Sequence, residues 1–174
     1  MRTVGVVACG AGGVEDLRRG LVEPLLERGW RVAVTLTPTA ADWLGGEVAR
    51  LEAVTGLPVR SHPRRPSQTR PHPPVDAFVV APASANFVAK LATGIADTQA
   101  VTQVVEALGM PDVPVVVLPR VNAAHARHPA WPGHLEVLRR AGVRLVLEEP
   151  PEPRAPVARP LPWDAALAAL TAAT

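Results

Sequence analysis

The chain has 174 residues, of which 48% are hydrophobic and only 3% aromatic, with 18 Lys and Arg against 16 Asp and Glu. That length suits one domain, the apolar content excludes a disordered chain, and a net charge of +2 argues against nucleic acid as a partner. The single cysteine, Cys9, rules out an internal disulfide and suggests a reducing cytoplasm. No apolar run reaches the roughly 18 residues of a membrane span, so no membrane partner is expected.

Residues 3–9 (TVGVVAC) form an apolar run that ends in the glycines of GAGG at 10–13. Over 14–28, Leu17, Leu21, Val22, Leu25 and Leu26 recur at helical spacing. Pro24 should bend that helix. Residues 31–36 (RVAVTL) predict a second strand, completing a βαβ unit with parallel strands. A helix is expected from Ala40 to Val54. Six prolines and four arginines between Pro58 and Pro74 then predict a surface loop. A buried strand at 75–81, a helix at 84–94, a helix near 98–108, a strand at 113–118, a helix at 131–140 and a strand at 143–147 follow. Five strands alternating with helices give an α/β fold, a Rossmann-like three-layer sandwich with a mainly parallel sheet. Six prolines between Pro150 and Pro162 predict an extended arm. A short helix at 163–171 should follow it, covering a neighbour or remaining mobile. The chain is thus divided into a domain at 1–148 and a Pro-rich C-terminal arm at 149–174.

Four segments carry chemistry, each directly after a strand. In VVACGAGGVED (6–16), glycines permit close backbone approach to a ligand, but their spacing is not the dinucleotide fingerprint. In TLTPTAADW (35–43), Thr37 stands where that fingerprint wants an acidic residue. This disfavours NAD and leaves a mononucleotide; Thr37 or Thr39 would serve equally as a helix cap. In APASANFVAKLATGIADTQ (81–99), Ser84 and Asn86 stand at a helix start, Lys90 and Asp97 are polar in an apolar stretch, and Gly94 marks a turn. In LPRVNAAHARHPAW (118–131), the Asn122 amide can both donate and accept. His125 and His128 lack an obvious third partner, so no metal site is expected. His62, His72 and His134 read by themselves as surface histidines.

Together these segments resemble the flavoprotein family of homo-oligomeric, FMN-containing cysteine decarboxylases (phosphopantothenoylcysteine decarboxylase-like). PASANFVAKLATGIAD (82–97) follows the family's most specific signature, and PRVN with HPA (119–122, 128–130) is similar to its P-x-M-N…HPA segment. VACGAGG and LTPTA resemble its first two loops. The resemblance implies an FMN site at a subunit boundary in a trimer or dodecamer. Gly10 and Ala11 would lie by the cofactor and Thr37 on its phosphate side, while Ser84, Ala85 and Asn86 would hold it from the third strand end. It implies Asn122 at the carboxylate of a small-molecule or peptide substrate. It also implies oxidative decarboxylation of a cysteine-like thiol carboxylate, with the flavin as redox group.

Three departures stand beside it. The family's catalytic histidine lies about eight residues before the aspartate of the third strand, which reaches Gln68; His72 and His62 are the candidates to replace it. Val121 replaces the methionine before Asn122, and the region of the substrate flap, EEPPEPRAPVARP (148–160), holds no cysteine. The alternatives are an FMN-binding protein without decarboxylase activity, a flavin prenyltransferase-like enzyme, and an interaction module without cofactor.

Overall fold

The computed structural model describes residues 1–149 and 160–174. The expected extended conformation of the arm falls on 150–159, outside the described residues. Five parallel strands, β1 (Thr3–Ala8), β2 (Arg31–Leu36), β3 (Ala77–Ala83), β4 (Val115–Pro119) and β5 (Arg144–Leu145), form one sheet in the order β2-β1-β3-β4-β5. The connection from β1 leads outward to β2, and that from β3 outward to β4. The sheet therefore has a topological switch point between β1 and β3.

Apolar residues cover both faces, as continuous Val-rich strands require. One face packs Val4, Val6, Val34 and Val79 against Leu17, Leu21, Leu25 and Leu51. The other packs Val7, Val80 and Val117 against α4 (Ala85–Thr93), α5 (Gln99–Leu108) and α7 (Trp131–Arg140), through Phe87, Val104 and Leu138. The three-layer sandwich is as expected.

The local departures have backbone causes. The helix expected over 14–28 is a 3₁₀ turn (Val14–Asp16), a π turn (Arg18–Val22) and the short α1 (Glu23–Glu27). Pro24 falls in the first turn of α1, where its missing N–H is not needed. Arg18 ties this stretch down through ion pairs with Glu23 and Glu47. The helix expected over 40–54 is two helices, α2 (Pro38–Leu44) and α3 (Glu47–Thr55). They part at Gly45, whose φ of 48° suits glycine. β5 is two residues rather than five. On that side of β4 the last ladder bond runs from Val146 N to Val117 O, and the next β4 residue facing β5 is Pro119, which has no N–H to give.

The last helix, α8 (Trp163–Thr171), has the expected bounds. It packs on its own chain, against β3, β4 and the π turn, with Leu161, Ala166, Leu167 and Leu170 buried in the first core. The expectation that it covers a neighbour or stays mobile is corrected. Its apolar face is spent inside this subunit.

Candidate functional site

The carboxyl ends of four strands meet in a row. Thr37 N donates to Ala8 O at 2.9 Å, Cys9 N to Pro82 O at 2.9 Å, and Arg120 N to Ala83 O at 2.8 Å. These bonds extend the strand ladders one step beyond the sheet. They set the loops side by side in the order Thr37, Gly10, Ser84, Asn122, with the β1/β3 switch point in the middle. Open parallel sheets bind ligands at this edge.

Gly10 is required here. A Cβ on it would stand 2.6 Å from Thr39 Cγ2, so the first and second loops touch through bare backbone. Ala11 is 9% exposed, and Gly12 beside it has open space.

Thr37, Ser84 and Asn122 each cap the helix that follows. Thr37 Oγ1 accepts from Ala40 N at 3.3 Å, Ser84 Oγ from Phe87 N at 3.2 Å, and Asn122 Oδ1 from His125 N at 2.9 Å, at α6 (Ala123–Ala126). The cap alternative weighed for Thr37 is therefore present. Capping uses an acceptor lone pair and leaves the hydroxyl proton of Thr37 as a donor, while the Ser84 hydroxyl also hydrogen-bonds Cys9. For Asn122 it pins the oxygen to the helix and turns the amide NH₂ away from it. Ala85 and Asn86 form the first turn of α4, with Asn86 exposed.

The two candidate histidines lie elsewhere. Arg60 pairs with Thr35 on the free side of β2, and His62 follows it, its Nδ1 2.9 Å from Ser61 Oγ. His72 Nε2 lies 2.7 Å from the Pro58 carbonyl. Burial, opposed by that carbonyl and reinforced by the Arg60 charge, holds the His72 imidazole below its ordinary value of 6.5. Both histidines thus stand outside the edge strand β2, whereas Asn122 follows β4. Four strand spacings separate the two positions, about 19 Å. The fold does not gather His62 or His72 with Asn122 within one chain.

Cys9 sits at the switch point, 1% exposed, and burial pushes its thiol up to about 12 despite hydrogen bonding with Ser84. Such a thiol is inert at neutral pH. Lys90 and Asp97 pair with one another at 2.7 Å across the Gly94 turn, a structural use of both. Sequence reasoning passed over two features. Arg120, beside Asn122, pairs with Glu148 at 2.9 Å. Gln103 Nε2 is buried without a partner among the described residues, near Thr35. Neither carries a local sequence signal, since each depends on a partner 28 or 68 positions away. Among the described residues no three His, Cys, Asp or Glu side chains cluster to hold a metal, and no helix is long and apolar enough to cross a membrane.

The profile of the family described as Flavoprotein matches residues 2–173. The coenzyme A biosynthesis bifunctional protein CoaBC of Bacillus subtilis (strain 168) is 30% identical over 152 residues, 84% of this chain and 36% of that protein. The chain therefore spans about a third of the length of this curated relative. Among solved structures, the FMN-dependent cysteine decarboxylase TvaF from thioviridamide biosynthesis superposes with a TM-score of 0.73 at 28% identity, covering 99% of this chain and 98% of that one. The FMN-dependent cysteine decarboxylase SpaF superposes with a TM-score of 0.71 at 25% identity, covering 100% and 98%.

Proposed function

Because this chain belongs to the flavoprotein family, we propose that it binds FMN at the carboxyl edge of its sheet and oxidatively decarboxylates a cysteine-like thiol carboxylate. The observation that carries the reading is the meeting of the Gly10, Thr37, Ser84 and Asn122 loops across the β1/β3 switch point. The donor set fits a phosphorylated, flat cofactor. Gly10 and Ala11 offer backbone without bulk, Thr37 offers a hydroxyl donor to a phosphate, and Ser84, Ala85 and Asn86 offer small or polar atoms to a ring edge. When bound, FMN supplies the two-electron sink for oxidising the substrate thiol, so that the substrate loses CO₂ and two hydrogens in all.

The chain's own residues position the substrate. With its oxygen held by the His125 N–H, the Asn122 amide presents N–H donors to the substrate carboxylate. His72, whose lowered proton affinity keeps it neutral near pH 7, is suited to accept the thiol proton; His62 is the second candidate. Either histidine reaches a site at Asn122 when a second copy brings its β2 edge there. We therefore read the protein as a homo-oligomer, a trimer or trimer-based dodecamer, with the site at a subunit boundary. The substrate is a small thiol carboxylate or a peptide C-terminus. A reducing cytoplasmic setting accords with the single, unbridged Cys9.

One observation favours a second reading, an FMN-binding protein without decarboxylase activity. Gln68, at the family's histidine position, spends its side-chain oxygen on Arg65 N at 2.7 Å. Purified protein should carry flavin absorbance, and incubation with cysteine-ending peptides or phosphopantothenoylcysteine should remove CO₂ and two hydrogens, read by mass. Flavin without mass loss selects the second reading; folded protein with no affinity for FMN ends both.

A further inference from the structure

Between Glu52 and Asp76 the sequence contains four arginines, Arg60, Arg64, Arg65 and Arg70, and no carboxylate. Residues 62–70 are all exposed. Elsewhere Arg18, Arg50, Lys90, Arg120, Arg139 and Arg140 each face an acidic side chain within ion-pair distance, while Arg19, Arg28, Arg31, Arg127 and Arg144, scattered along the chain, face none among the described residues. Among the described residues, no carboxylate lies within that distance of the loop's four arginines.

The loop is nonetheless built. Arg60 is laced to β2 by Arg60 N to Val34 O at 3.1 Å and Leu36 N to Arg60 O at 2.7 Å. The guanidinium of Arg64 donates to the carbonyls of Arg65, Pro66 and Gln68 at 3.3, 3.4 and 3.0 Å, and Gln68 N returns a bond to Arg65 O at 3.0 Å. The far end is clamped where Thr3 N meets Asp76 Oδ2 at 2.6 Å. Arg60 is held below the usual guanidinium range, first by burial and then by the Arg64 charge, as expected of cations left close together without a counter-charge. Covering an edge strand needs only a loop. It does not need four cations spread over eleven residues without neutralisation.

We propose that the loop from Arg60 to Arg70 is a docking surface for an acidic peptide segment, the stretch leading to the cysteine-like end of a peptide substrate. The binding itself stands on the loop's charge; only the identity of the peptide as substrate rests on the decarboxylase reading above. Charges distributed along a proline-rich surface loop match charges distributed along a chain, whereas a lone phosphate needs converging donors. The loop contains no Phe, Trp or Tyr on which unpaired bases would stack, which disfavours nucleic acid.

The test uses the full-length, flavin-loaded protein and two fluorescent peptides ending in cysteine, one carrying Glu and Asp upstream and one carrying Gln and Asn there. The acidic peptide should bind about tenfold more tightly, and the difference should shrink at high salt. The double substitution Arg65→Glu, Arg70→Glu should remove about tenfold of that affinity, with retained flavin absorbance showing that the variant is folded. Equal affinity for the two peptides, or indifference to the charge reversal, overturns the proposal. So does a single-stranded DNA of equal charge binding more tightly than the peptide, or ready displacement of the peptide by inorganic phosphate. Flavin-loaded protein that ignores peptide charge sinks only the docking surface; protein that binds the acidic peptide but no FMN sinks only the decarboxylase reading.

Discussion

The indole of Trp163 rests on the bare backbone of Gly20: a Cβ there would come within 2.5 Å of its Nε1. The C-terminal helix thus docks where the π turn offers no side chain, and the contact fixes how closely α8 approaches that turn.

Gly20→Ala is expected to destabilise the protein by about 1–3 kcal/mol through overpacking, measured by urea unfolding. Combining it with Trp163→Leu should recover part of that loss, because the double variant makes room for the added methyl. Strict additivity of the two single losses would argue against the contact.

Asn122 is predicted to separate two roles by two substitutions. Asn122→Asp keeps the capping oxygen but replaces the NH₂ donor with a charge that repels a carboxylate. Turnover should fall by at least about 10²-fold with stability nearly unchanged. Asn122→Ala should lose turnover and also about 1 kcal/mol of cap stability. Steady-state decarboxylation alongside thermal unfolding distinguishes them. Full activity in the Asp variant would remove Asn122 from the substrate site.

For Thr37, Ser should preserve both cap and hydroxyl donor, whereas Ala should lose about 1 kcal/mol of stability and weaken FMN binding. Titration of apoprotein with FMN reads the second effect. Equal affinity in Thr37→Ala and the parent would leave Thr37 as a helix cap alone.

Cys9 should resist thiol reagents in the folded protein near pH 8 and react once denatured, since its folded thiol lies at about 12 against 9.0 for an unshifted thiol. The raised value favours the protonated form in the fold. Stability linked to Cys9 is therefore present below pH 9 and is lost as pH rises above it, when the unfolded thiol ionises and the folded one does not. Rapid labelling of native protein would contradict its burial at the switch point.

His72 has the opposite dependence. Its folded imidazole lies below the ordinary 6.5, so the unfolded chain takes up a proton first as the solution is acidified. Its contribution to stability is level above about pH 6.5 and falls as pH drops through that value. Denaturation midpoints at a series of pH values should show this slope flattened in His72→Gln. An unchanged slope would mean that other groups carry it.

Most of the architecture was legible because alternating strands and helices leave strong periodic signals. The bounds of α7 and α8, 131–140 and 163–171, were readable to the residue. What was not readable depended on distant partners or single backbone torsions. The helix expected over 40–54 runs through Gly45, whose positive φ breaks it. β5 was shortened by Pro119, a residue of its neighbour. At the candidate site, the loops of Gly10, Thr37, Ser84 and Asn122 were legible because each directly follows a strand of a parallel sheet, and such ends must share one edge. The histidines were not, because the sequence between Pro58 and Pro74 holds no periodicity from which to tell which side of β2 the loop takes.

The seating of Leu161 against Gly13, 2.6 Å from where a Cβ would stand, together with the burial of Leu167 and Leu170, has a practical corollary for anyone shortening this polypeptide. Trimming it at the proline-dense stretch would strip a greasy wall bare rather than remove an ornament. The shortened product should clump or bind detergent-like dyes. Conversely, a protease nick within that stretch should leave two pieces that travel together on a sizing column until denaturant parts them.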